Sequence, residues 1–255
     1  MRKEAFGRLL EIMDRLRLEC PWDKKQTIDS LRSLTIEEVY ELSDAIEDKN
    51  MDEVKKELGD IMMHIVFYSK IASETNSFDI SDVINSVCDK LVYRHPHVFS
   101  DTEINSVADV EKNWEKLKLK EKGRHKRVLE GVPKTLPSLI KAQRIQDKAR
   151  GVGFDWQEKE MVWDKVDEEF GEFKEEMKNG NIAKSEEELG DVLFSIVNAA
   201  RLYGLNPDDA LEKTNKKFIK RFSYIEDKAL ENSRTVNELS LEEMDKYWEE
   251  SKKKK

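Results

Sequence analysis

Two sets of carboxylates carry the chemistry open to this chain. One is Glu168, Glu169 and Glu172, followed by Glu188 and Asp191; the other is Glu37, Glu38 and Glu41, followed by Glu57 and Asp60. Glu37 recurs at 168 and Asp60 at 191, a constant offset of 131 residues. At about 100° per residue, three carboxylates at i, i+1 and i+4 share one sector of a helix, and Glu-x-x-Asp shares one face of the next. Like charges at i,i+4 weaken an isolated helix. Glu169 nevertheless sits at the edge of an apolar stripe, between Val166 and Phe173, and Glu38 sits likewise between Leu34 and Leu42. A carboxylate turned toward a partner helix must be paired, neutralised or bound to metal, because unpaired burial is costly.

Carboxylate oxygens without Cys or His suit a hard cation, Mg²⁺, with Mn²⁺ as a substitute. Five carboxylates exceed what one Mg²⁺ needs, so two or more ions per site are expected. One such ion activates a water, the other neutralises the leaving oxygens, and a remaining Glu serves as general base. The competing account is a solvated acidic face, which is what a lone Glu-Glu-x-x-Glu usually is. Two sets, each spread over a helical hairpin and repeated in register, favour the reactive account. Gly59 and Gly190 each precede the Asp and are read as points of close helix approach.

The elements that must hold these groups are helices. Apolar spacing predicts helices over residues 4–18, 28–47, 52–74, 79–93 and 107–122, with a break at Cys20-Pro21-Trp22-Asp23 and a cap at Asp79 or Ser81. The stripe on the second helix is Leu31, Leu34, Val39, Leu42 and Ile46; that on the third is Val54, Leu58, Ile61, Met62, Ile65 and Val66. Residues 121–137 are polar, then Gly- and Pro-bearing, and read as a linker. Helices restart over 139–150, 159–178, 182–203, 207–230 and 240–252. No segment alternates as a strand would, so the chain is expected to be all-α.

An internal repeat joins the halves, with domains expected at 1–120 and 138–255. Trp22-Asp23 matches Phe154-Asp155, Lys90 and Arg94 match Lys217 and Arg221, and Trp114 matches Trp248. Each Lys/Arg pair is spaced i,i+4 and offers two cations on one helix face; a solvated basic face is the alternative. Trp248 and Trp114 could stack on a base or anchor the packing. His95 and His97 flank Pro96 and are read as structural; His64, one turn past Asp60, could hydrogen-bond that carboxylate and is read as a satisfied polar residue.

Composition sets outer limits. The chain has 255 residues, 39% of them charged and 38% hydrophobic, with a net charge of −9. That charge argues against stable nucleic-acid binding or an anionic membrane surface, and no run suits a membrane span. Two cysteines, Cys20 and Cys88, give no disulfide framework, so a cytoplasmic location is expected.

These motifs resemble the MazG family of nucleoside triphosphate pyrophosphohydrolases. The resemblance rests on both carboxylate sets, on Cys20-Pro21-Trp22-Asp23, on Tyr93-Arg94-His95-Pro96-His97-Val98-Phe99, on Gly131 to Leu139, and on Asn215 through Phe222. It implies tandem helical domains whose four-helix bundles are completed by homodimerisation. It implies Mg²⁺-dependent cleavage of NTPs and dNTPs between the α and β phosphates, with broad base acceptance. It implies that the C-terminal repeat is the better candidate, with Glu168, Glu169, Glu172, Glu188 and Asp191 as metal ligands and base. Lys217 and Arg221 would then hold phosphate and Trp248 would lie near the nucleotide. Intact Glu37, Glu38, Glu41, Glu57, Asp60, Lys90 and Arg94 leave the N-terminal repeat either a second site or a dimerising, regulatory one. A non-catalytic acidic interaction protein is the alternative.

Overall fold

The computed structural model describes residues 1–100, 106, 110, 114, 117, 127–156 and 158–254. These are helical throughout, with no strand among them. The chain divides into two compact units, Met1–Leu117 and Lys118–Lys255.

In the first unit the described helices are α1 (Arg2–Glu19), α2 (Pro21–Lys25), α3 (Ile28–Glu47), α4 (Met51–Ser73), α5 (Ile80–Arg94) and α6 (Pro96–Phe99). In the second they are α7 (Ser138–Arg150), α8 (Val162–Asn179), α9 (Ile182–Leu202), α10 (Pro207–Glu231) and α11 (Leu241–Ser251), with single 3₁₀ turns at Val128–Gly131, Lys159–Met161 and Val236–Glu238. The break at Cys20 is present, but Pro21 then opens a short helix, because its missing amide is no loss in a first turn. The helix expected over 107–122 lies outside the described residues, save Val110, Trp114 and Leu117, which are helical.

The helix starts repeat between the halves as closely as the carboxylates do. Asn50 Oδ1 accepts from the Glu53 amide at the start of α4, and Asn181 Oδ1 accepts from the Lys184 amide at the start of α9. Asp79 Oδ1 accepts from the amides of Ser81 and Asp82 to open α5, and Asn206 does the same for Asp208 and Asp209 to open α10. Each cap satisfies donors that the first turn leaves free. The two hairpin turns also share a left-handed residue, Lys49 at φ 55° and Gly180 at φ 69°. α3 packs on α4, and α8 on α9, as antiparallel hairpins.

One core holds the α3–α4 hairpin against α1, and a second joins α10 to α11. Met13 of α1, Leu31 of α3 and Val66 and Phe67 of α4 are fully enclosed in the first unit, ringed by Phe6, Leu9, Leu10 and Leu34. In the second unit Ile225 and Ala229 of α10 pack with Leu239, Met244, Tyr247 and Trp248. Much of each expected stripe stays uncovered in the single chain. Leu58 is 52% exposed, Val39 50% and Ile46 58%, whereas Val66 is buried. The expected close approach at Gly59 and Gly190 does not occur, since a Cβ at either would meet nothing within 4 Å. Those glycines leave the helix surfaces open and do not bring the helices closer.

Candidate active site

The α8–α9 hairpin brings Glu169 and Glu172 of one helix against Glu188 of the other. Carboxylate oxygens from the three lie within 4.8 Å of one another, and Glu38, Glu41 and Glu57 form the same trio on α3 and α4. The antiparallel pairing explains the trio: carboxylates at i and i+3 of one helix meet one from the facing helix across the seam. Glu169 is buried, Glu188 half-buried and Glu172 exposed, so the cluster is open to solvent on one side.

Electrostatics agree with the geometry. Burial, and then the charges of Glu172, Asp191 and Glu169, hold the Glu188 carboxyl above its usual range. Burial, and then the charges of Asp60, Glu41 and Glu57, do the same to Glu38. Asp191 and Asp60 therefore act on their clusters through their fields. Glu168 and Glu37 lie outside the two trios: both are exposed, and Glu168 accepts from Lys165 Nζ at 3.0 Å, the ammonium that also meets Glu169. In the first unit Glu57 is almost wholly buried; one oxygen takes Lys56 Nζ at 3.0 Å, and its Oε2 is buried without a partner. An orphaned carboxylate oxygen among like charges calls for a positive partner, and an all-oxygen donor set suits a hard cation such as Mg²⁺ or Mn²⁺.

The second unit adds two features absent from the motifs. Lys165 Nζ lies 2.7 Å from Glu169, and the two carboxylates it meets hold its ammonium well above the usual lysine range. A cavity of about 700 Å³ opens beside it, with Lys165, Glu169 and Asp191 in its wall. Phe154, Trp156 and Gln146 form other parts of that wall. Arg201, whose side chain is 7% exposed, donates to Asp155 Oδ2 at 3.2 Å, to Asp155 Oδ1, and to Asn198 Oδ1 at 3.1 and 2.8 Å. Burial would raise Asp155, but hydrogen bonds from Arg201 and the Trp156 amide bring it below the usual range.

The corresponding places in the first unit leave less room, with a cavity of about 240 Å³ beside Met13 and Val66. At the offset of 131, Val162 matches Leu31, Val197 matches Val66 and Asn198 matches Phe67; aligning Ile12-Met13-Asp14 with Ile145-Gln146-Asp147 matches Gln146 to Met13. Met13, Leu31, Val66 and Phe67 are the packed core of that unit. So one repeat has a thioether and a phenyl ring where the other has two amides and a cavity of about 700 Å³.

The Lys/Arg pairs lie elsewhere on their helices. Lys217 and Arg221 are exposed and half-buried on α10, and among the described residues neither is ion-paired. The Arg221 guanidinium stacks 5.5 Å from the Trp248 ring, which also meets Phe218 at 5.1 Å. The first unit repeats this arrangement, with Arg94 over Trp114 at 5.1 Å and the His95 ring 4.9 Å from Trp114. Trp248 thus anchors α11 to α10 and steadies Arg221. Lys90 is exposed and Arg94 buried. His64 is buried beside Asp60, and burial lowers its pKa despite that charge.

A family model for the MazG nucleotide pyrophosphohydrolase domain matches residues 26–99 and 157–225, one copy in each unit. The chain belongs to the MazG family. It is an enzyme, a nucleotide pyrophosphohydrolase, and the reading as an acidic interaction module falls away. A MazG relative from Thermotoga maritima, named nucleoside triphosphate pyrophosphohydrolase/pyrophosphatase MazG, is 43% identical over 98% of both chains. One from Escherichia coli K12, named nucleoside triphosphate pyrophosphohydrolase, is 40% identical over 97% of both. A crystal structure of a MazG-related protein from Thermotoga maritima covers 45% of this chain and 99% of its own, at 30% identity and a TM-score of 0.41. In this MazG chain Lys165 was legible in principle, at i+3 and i+4 from Glu168 and Glu169. Gln146 and the Asp155–Arg201 pair had no local signal.

Proposed function

We propose that the chain hydrolyses nucleoside triphosphates between the α and β phosphates, giving the monophosphate and pyrophosphate, and does so in its C-terminal unit with Mg²⁺. The observation that carries this reading is the cavity of about 700 Å³ beside Glu169 and Asp191, whereas the described cavity beside Met13 and Val66 in the first unit is about 240 Å³. A carboxylate cluster can hold a cation in either repeat, but a nucleoside needs room next to it.

In this reading Glu169, Glu172, Glu188 and Asp191 hold the cation, with Glu168 at the rim. When bound, Mg²⁺ supplies water activation and neutralises charge on the phosphates. A cluster carboxylate accepts the proton of the attacking water, a role its raised affinity for protons favours. The water oxygen joins the α-phosphorus, the bond to the bridging oxygen breaks, and pyrophosphate leaves with both electrons of that bond. Lys217 and Arg221 bind the triphosphate, with Arg221 oriented by Trp248. The cluster of the first unit, Glu37, Glu38, Glu41, Glu57 and Asp60 with Lys90 and Arg94, binds a cation and serves the architecture.

The uncovered apolar faces of α3 and α4 support a homodimer in which a second copy completes each bundle. We place the enzyme in the cytoplasm, acting on NTPs and dNTPs with broad base acceptance; no described helix is long and apolar enough to cross a membrane. Product analysis on an NTP panel with wild type, Glu172→Gln and Glu41→Gln tests the proposal. NMP and pyrophosphate, lost in Glu172→Gln and retained in Glu41→Gln, are expected. ADP with orthophosphate, or loss confined to Glu41→Gln, overturns it.

A further inference from the structure

Gln146 stands apart from the rest of the cavity wall. It is 7% exposed, and its Nε2 donates to the Phe194 backbone carbonyl at 2.9 Å. That bond fixes the amide: the amino group must face Phe194, so the other end is the carbonyl oxygen, whatever the rotamer's history. This Oε1 is buried and has no partner. Among the described cavity-lining residues it is the sole buried side-chain atom so placed. The neighbouring polar groups are engaged: Asp155 with Arg201, Asn198 Oδ1 with Arg201, Ser195 Oγ with the Val192 carbonyl, and Lys165 with Glu168 and Glu169. A buried acceptor without a donor is unfavourable, and a site keeps one when an occupant completes it.

We propose that Gln146 is a specificity-determining residue whose Oε1 accepts a hydrogen bond from an N–H on the outer edge of the nucleobase. This rests on the nucleotide reading of the C-terminal cavity. All the common bases share one feature there: adenine and cytosine carry an exocyclic amine, guanine a ring N–H and an amine, uracil and thymine a ring N–H. A single fixed acceptor in a wide apolar chamber therefore admits each of them. It rejects bases whose edge bears acceptors alone. Broad acceptance and a definite exclusion come from the same atom. The first unit has Met13 at the matching place, a side chain of similar length with no oxygen to offer.

The test compares substrates that differ by one amino group. Purine riboside triphosphate is ATP without its exocyclic amine, and pyrimidin-2-one riboside triphosphate is CTP without its own. With wild-type enzyme and Mg²⁺, kcat/KM is expected to fall about tenfold or more for each deaminated analogue, because an unmatched buried acceptor is left in the complex. In Gln146→Met that preference collapses to within about twofold, because no acceptor remains to be left unmatched, while the melting temperature shows the variant folded. Equal turnover of ATP and purine riboside triphosphate by wild type overturns the inference and leaves the hydrolase reading intact. So does a Gln146→Met enzyme that keeps the tenfold preference. Absence of any monophosphate and pyrophosphate from every substrate overturns both.

Discussion

Lys165 Nζ lies 2.7 Å from Glu169 Oε1, one helical turn along α8, and the position matching Lys165 in the other repeat is Leu34. The ammonium occupies the charge that a divalent cation would otherwise satisfy. Replacing it by the residue of the other repeat removes a competitor. Lys165→Leu is expected to lower the Mg²⁺ midpoint of a thermal-shift titration several-fold, more so at low salt. An unchanged midpoint would mean that Lys165 and the cation do not share Glu169.

Glu243 gives the pH response of the C-terminal helix. Hydrogen bonds from Arg234 and from the Ser240 amide hold its carboxyl at about 2, below an ordinary value of 4.5. A depressed folded pKa adds stability above the unfolded value and loses it as pH falls through the folded one. The melting temperature of wild type should exceed that of Glu243→Gln near pH 6, and the gap should close between about 4.5 and about 2. High salt should narrow it at every pH, since the pair is solvent-facing.

The turn between α3 and α4 is built on Lys49 at φ 55°, where the equivalent turn uses Gly180 at φ 69°. A side chain in this region costs on the order of 1 kcal/mol that glycine avoids. Lys49→Gly should therefore stabilise the first unit by about that amount in urea denaturation. A destabilised variant would show that the lysine stem, and not the backbone, governs the turn.

Met13→Gln places an amide into a closed core, at a position 2% exposed. Because the residues packed against it are apolar, the amide is expected to cost about 2–3 kcal/mol. The reverse exchange, Gln146→Met, should be close to neutral for the folded state, because it removes an unpartnered acceptor. Circular dichroism melts of the two variants check the contrast; equal losses would dissolve it.

Lys217 and Trp248 separate binding from support. Lys217 is exposed and unpaired, so Lys217→Ala should weaken ATP binding several-fold, as loss of one cation from a phosphate clamp does, with no change in melting temperature. Trp248 contacts Phe218 and Arg221 and joins the α10–α11 core, so Trp248→Ala should cost on the order of 2 kcal/mol as well as activity. Calorimetry of nucleotide binding beside melting curves distinguishes the two.

The helices were readable because each signal is local. Asn50, Asp79, Asn181 and Asn206 cap where the apolar periods begin, and the carboxylate register survives duplication intact. The meaning of the glycines was not readable. Gly59 and Gly190 face open space, which only the packing of neighbouring helices decides. Leu58 and Val39 stay exposed in the single chain, since amphipathic spacing says which face is apolar and not what covers it. Gln146 carried no motif at all. Its importance is a difference between repeats, visible once Met13 is seen to be core and Gln146 a wall.

That Glu169, Asp191 and Gln146 line one chamber has, on the proposed function, an evolutionary corollary. Bond breaking would draw on the acidic groups and discrimination among bases on the amide. A lineage could thus retune which nucleotides it removes by single substitutions around Gln146, Asn198 or Trp156, with the reaction chemistry left untouched.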